Sequence, residues 1–134
     1  MTDCLFCKFI NKEITPHIIY EDNQNLAFLD NHPHTKGHTV VISKTHAANI
    51  LDLADGKLQS LILAVKNTTK ILQDQLHPDG FTIGINHGTV SGQTIPHLHI
   101  HIFPRYNGDG GSSIHGIINS PGDKTVEEIA ELFK

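Results

Sequence analysis

Cysteine is scarce in this chain of 134 residues, basic residues nowhere cluster, and long apolar runs are missing. With Cys4 and Cys7 alone, disulfides cannot be its framework, and a chain of this length buries an adequate core without them. No apolar stretch approaches the roughly 20 residues that cross a bilayer, which argues against a membrane span. The opening MTDCLFCKFI lacks the charged start, apolar middle and small-residue cleavage site of a signal peptide, so the expected location is the cytoplasm. Net charge is −4 and no Lys/Arg patch occurs, which argues against a broad nucleic-acid surface. Any anionic ligand must then be held locally. Hydrophobic residues at 38% and charged residues at 18% fit one globular domain over residues 1–134.

Histidine, by contrast, is abundant, with 11 copies. In Pro96-His97-Leu98-His99-Ile100-His101-Ile102-Phe103-Pro104-Arg105, three histidines alternate with Leu98, Ile100 and Ile102. Strand period two places the imidazoles on one face and the aliphatic side chains on the other, toward a core helix. Such a face could be merely solvated, could hold a metal through three imidazoles, or could act on a substrate. Cys4-x-x-Cys7 is compatible with zinc, redox exchange or no role. A thioredoxin-like use is disfavoured, since no strand precedes the pair.

Elsewhere the pattern reads as an antiparallel meander. A short helix over 6–10 precedes strands at 17–20, 26–30 and 38–42. Leu58, Leu61, Ile62, Val65, Ile71, Leu72 and Leu76 predict an amphipathic helix ending near His77-Pro78. Phe81, Ile83 and Ile85 predict a fourth strand, Asn86–Thr94 a glycine-containing loop, and Pro96–Arg105 a fifth strand. The segment 107–113 reads as flexible by composition. Thr125 with Glu128 forms a capping-box pattern for a short C-terminal helix. The predicted class is α+β, a five-stranded antiparallel sheet with one long and a few short helices.

His97-Leu98-His99-Ile100-His101-Ile102 resembles the alternating His-apolar signature of the histidine triad (HIT) family. Asn86-His87-Gly88-Thr89-Val90-Ser91-Gly92-Gln93-Thr94 resembles that family's phosphate loop. Phe28-Leu29-Asp30 is similar to its ribose-contacting strand end, and Lys36–Ile42 to the segment carrying an accessory histidine, His38. The resemblance covers roughly residues 4–106. It implies a HIT-like fold and a purine nucleotide, or nucleotide conjugate, bound across the sheet. His99 would attack the α-phosphorus to give a phosphohistidine, and His101 would donate to the phosphoryl oxygens. His38 would support the site and Asp30 would accept from the ribose hydroxyls. Asn86, Gly92, Gln93 and Thr94 would lie at the phosphate. Resemblance to the bacterial branch implies a structural zinc on Cys4, Cys7, His46 and His97, and a homodimer paired through edge strands. The implied activity is nucleoside phosphoramidase or dinucleoside polyphosphate hydrolase. His101–Arg105 looks like the latter branch, the short chain and early cysteines like bacterial generalists. Alternatives are a non-catalytic nucleotide-binding module and a zinc-centred hydrolase. His17, His32, His34, His77, His87 and His115 are assigned no role.

Overall fold

The computed structural model describes residues 3–134, so the first two residues of the single-domain reading lie outside the described part. Five strands form one antiparallel sheet in the order β1-β2-β3-β5-β4. They are β1 (Ile18–Glu21), β2 (Asn25–Leu29), β3 (Thr39–Ser43), β4 (Gly80–Gly84) and β5 (His99–Arg105). Helix α1 (Leu5–Ile10) precedes the sheet, α2 (Asp55–Leu76) connects β3 to β4, and α3 (Val126–Ala130) lies near the C-terminus. The class is the expected one.

Alternation along the strands divides the core in two. Ala27, Val41, Ile100 and Ile102 face α2 and pack on Leu61, Ala64, Val65 and Leu72. Each such large aliphatic side chain contributes about 1.5–3 kcal/mol by leaving water. Leu26, Phe28, Val40 and Ile42 face the other way, onto Cys4, Phe6 and Phe9 at α1. On that second face β3 pairs β5 with Val40 opposite His101 and Ile42 opposite His99. A one-residue slip would drive both imidazoles into the α2 core, so burial pins the register.

The first three strands are each displaced by one residue from expectation, and two further boundaries differ. β5 begins at His99 and not at Pro96. Pro96 has no N–H for a ladder, His97 N bonds to Ile95 O at 2.8 Å, and Leu98 N bonds to Ala47 O at 2.7 Å. Ile85 falls beyond the end of β4. The capping box at Thr125 and Glu128 forms as read, and His77 closes α2 in the left-handed region at φ 50°. Gly37 is left-handed at φ 88°, where a Cβ would strike Leu76 and Pro104, so glycine is required immediately before His38. The segment after β5 is tied locally: Asp109 accepts from Arg105, Tyr106 N and Gly111 N. Among the described residues no helix is long and apolar enough to cross a membrane.

Candidate functional site

Cys4 caps α1, its sulfur accepting from Cys7 N at 3.4 Å, and this turn brings both thiols to one point. His97 arrives from the bend before β5, with Nδ1 at 3.4 Å from Cys4 Sγ and 3.7 Å from Cys7 Sγ. His46 completes the group, its Nδ1 at 3.2 Å from Cys7 Sγ. All four ligand atoms lie within 4.8 Å of one another. A tetrahedral zinc with bonds of about 2.3 Å to sulfur and 2.0–2.1 Å to nitrogen has S···N edges of about 3.5 Å, so the donor set fits the ion. His97 Nε2–H donates to Ser43 O at 2.9 Å, which leaves the Nδ1 lone pair toward the thiols. Without metal, burial and the Cys4 hydrogen bond push the Cys7 thiol up to about 11, and burial pushes His97 down to about 4.

The same His97 presents its main-chain carbonyl to the next histidine. His99 Nδ1–H donates to it at 2.7 Å, which fixes the tautomer and leaves the Nε2 lone pair free. Phe6 meets the His99 ring edge-on at 5.1 Å and sets its plane. His99 is buried at 7% exposure, and its ring borders an open cavity.

A second chain of hydrogen bonds orients His101. The main-chain N–H of His34 donates to His38 Nδ1 at 3.2 Å, so a neutral His38 carries its hydrogen on Nε2. That Nε2–H points at His101 Nδ1, 2.9 Å away, and His101 then carries its hydrogen on Nε2. Burial, then the neighbouring His99 and His38, pushes His101 down to about 4 and keeps it neutral at neutral pH. Burial also lowers His38, against the pull of Asp30, whose Oδ2 lies 3.6 Å from His38 Nε2. Asp30 Oδ1 accepts from His32 N at 2.8 Å, which holds the carboxylate at the cavity edge.

The cavity is about 570 Å³, within the usual range for small-molecule sites, and Asp30, His38, Asn86, Gly92, Thr94, His99 and His101 all line it. Phe6, Phe9 and Phe28 supply an apolar end. Gln93 does not line it. Its Oε1 accepts from Gly88 N, and its Nε2 donates to the carbonyls of Ala48 and Ile95, so the amide braces the loop from behind. Gly92 sits at φ 109°, and this left-handed turn lets the backbone close on the cavity.

Sequence reasoning passed over His32, His34 and Phe103, all of which line the cavity. Phe103 was legible, since it continues the period-two face of His99 and His101. His34 acts through its main chain, which no side-chain pattern reports.

Comparison with known proteins gives the family. The adenosine 5'-monophosphoramidase hnt1 of Schizosaccharomyces pombe is 34% identical over 111 residues, covering 83% of this chain and 80% of the relative. The crystal structure of a HIT family member from Bacillus subtilis superimposes with a TM-score of 0.85 at 34% identity, covering 98% of this chain and 92% of that one. A Zn-bound histidine triad family protein from Mycobacterium smegmatis has a TM-score of 0.78 at 36% identity, covering 83% and 81% respectively. The family model described as HIT domain matches residues 11–108, and with the alternating histidines and the fold in agreement, this chain belongs to the HIT domain family.

Proposed function

We propose that the protein is a nucleotide hydrolase or transferase that cleaves nucleoside monophosphate conjugates at the α-phosphate, with His99 as nucleophile. One observation carries the reading: the His97 carbonyl takes the Nδ1 hydrogen of His99 and leaves its Nε2 lone pair at a cavity of nucleotide size. A neutral imidazole in this tautomer needs no further base. His99 Nε2 bonds to phosphorus as the bond to the leaving atom breaks, and the leaving group takes its proton from water. A second water then breaks the N–P bond, returning free His99 and a nucleoside monophosphate. His101 Nε2–H, with the loop amides near Gly92, faces the charge that builds on the phosphoryl oxygens. Asp30 receives the ribose hydroxyls, and Phe6, Phe9 and Phe28 flank the base, a purine. Asn86 and Thr94 adjoin the phosphate, while Gln93 acts by holding their loop.

Zinc would be held by Cys4, Cys7, His46 and His97, where it supplies a structural cross-link between α1 and the start of β5. Two free thiols arranged for metal suit a reducing compartment, the cytoplasm. β4 is a sheet edge with Ile83 exposed, which supports a homodimer paired through this strand. Net charge and the lack of a membrane-crossing helix among the described residues give no support to nucleic-acid or membrane partners.

Asp30, His38 and His101 could themselves hold an ion, their ligand atoms lying within 4.8 Å. The 2.9 Å His38–His101 separation is that of a shared proton, and His97 is engaged elsewhere, which favours the metal-free reading. The test is release of AMP from adenosine 5'-phosphoramidate by wild type and His99→Ala, with AMP affinity measured in parallel. Turnover lost in the variant with binding retained supports the proposal. Tight binding with no turnover in either protein supports a binding module, and turnover abolished by chelation at intact stability supports the zinc-centred enzyme.

A further inference from the structure

Helix α1 forms one wall of the nucleotide-sized cavity through Leu5, Phe6 and Phe9, and Cys4 and Cys7, which cap it and interrupt that wall, belong to the candidate metal centre. The helix has six residues, far below the roughly 12–15 at which an isolated helix becomes even marginally stable in water. Its backbone hydrogen bonds among the described residues are local, such as Lys8 N to Cys4 O, Asn11 N to Cys7 O and Glu13 N to Lys8 O. Just beyond its end Lys12 pairs with Glu21 at 3.1 Å, a solvent-facing contact that holds the helix weakly. The placement of α1 must come from its side chains.

Two attachments do this. One is apolar: Phe6 and Phe9 pack on Phe28 of β2, with ring centroids at 5.4 and 5.0 Å. The other is the ligand set, which brings Cys4 and Cys7 to His46 after β3 and to His97 before β5. Phe6 takes part in both. Its buried ring stands edge-on to His97 at 5.9 Å and to His99 at 5.1 Å, so one side chain meets a metal ligand, the candidate nucleophile and the apolar end of the cavity.

A nucleoside whose base fills the apolar end rests on the same short helix that a metal would tie down. Whichever ligand binds first orders α1, and the second then meets a wall already in place. Resting on the nucleotide-binding reading above, we infer that metal binding at Cys4, Cys7, His46 and His97 and nucleotide binding in the cavity are cooperative, with Phe6 as the positioning residue that couples them. The two affinities rise together by one shared factor, as linkage requires. A metal that served the fold alone would leave the nucleotide affinity of the folded chain unchanged. Zinc availability thereby sets how tightly the protein holds its nucleotide, in addition to how well the fold resists heat.

The experiment uses the full-length protein loaded with zinc and the same protein stripped by a chelator, at a temperature where circular dichroism shows both forms folded. Calorimetric titration with AMP gives the nucleotide affinity of each form, and competition with a chromogenic chelator gives zinc affinity with and without saturating AMP. Zinc is expected to tighten AMP binding by at least about fivefold, and AMP to tighten zinc by the same factor. Phe6→Leu keeps an apolar side chain against Phe28 and leaves all four metal ligands, so the variant should still bind zinc while its coupling factor falls toward one. Equal AMP affinity with and without zinc, or a factor unmoved by Phe6→Leu, overturns the coupling through Phe6 while leaving the proposed function standing. AMP bound by neither form contradicts the proposed function and the coupling with it.

Discussion

The backbone carbonyl of His97 accepts the Nδ1 hydrogen of His99 at 2.7 Å, while the His97 side chain faces Cys4 and Cys7. One residue thus joins the candidate metal centre to the candidate nucleophile, through its ring on one side and its peptide on the other. Under the proposed function the three alternating histidines have separate duties: His97 shapes, His99 attacks and His101 donates.

Removing the His101 donor leaves the nucleophile and its carbonyl partner in place. His101→Ala is expected to lower kcat by about 10²–10³, the usual effect of deleting one donor to developing oxyanion charge, with AMP affinity changed far less. His38→Ala should act in the same direction more weakly, because it frees the His101 tautomer without removing its ring. Steady-state kinetics beside AMP titration checks both, and a His101→Ala enzyme of normal kcat contradicts the donor role.

Metal removal should act on stability before chemistry. Purified protein is expected to hold one zinc per chain, and Cys7→Ser or chelation should remove it and lower Tm by about 5 °C or more. Metal analysis with thermal unfolding checks this. Protein that holds no zinc and melts identically with and without chelator contradicts the structural site.

Much of this arrangement was legible in the sequence because strict alternation allows few solutions. Leu98, Ile100 and Ile102 had to face a core, and α2 supplied the one long amphipathic partner. Less legible was the start of β5, since His97 looks like a strand residue until Pro96 and the contact of Leu98 N with Ala47 O are seen. Gln93 stands in the phosphate loop by pattern, yet its amide is satisfied by three backbone groups. A cavity lined by Thr82, Phe103, Arg105, Ile114 and Ile117 was not legible, for it depends on Ile114 and Ile117 folding back over β4 and β5.

Acid should destabilise the fold in a defined window. His101 is pushed from the ordinary 6.5 to about 4 by burial. As pH falls below 6.5 the unfolded chain takes up this proton, while the folded chain does not until about 4. The unfolded state therefore binds more protons in that interval, and stability declines as pH is lowered through it. The full displacement corresponds to about 3 kcal/mol. Urea unfolding at pH 7, 6 and 5 checks this against His101→Gln, whose stability should decline less steeply.

Gly92→Ala places a Cβ at φ 109°, which costs about 1–2 kcal/mol locally and tilts the loop beside Asn86 and Thr94. The expected outcome is a raised KM for nucleotide substrates with Tm lowered by about 4–7 °C, the share of that strain borne by the folded state. Wild-type KM in this variant contradicts the close approach of the loop to the phosphate.

The most direct measurement is intact mass after rapid quenching at neutral or mildly basic pH during turnover of adenosine 5'-phosphoramidate. Wild type should gain the mass of one AMP moiety, mapped to the peptide carrying His99, and His99→Ala should gain none while still binding AMP. An adduct on another residue, or near-normal turnover by His99→Ala, would contradict nucleophilic attack by His99.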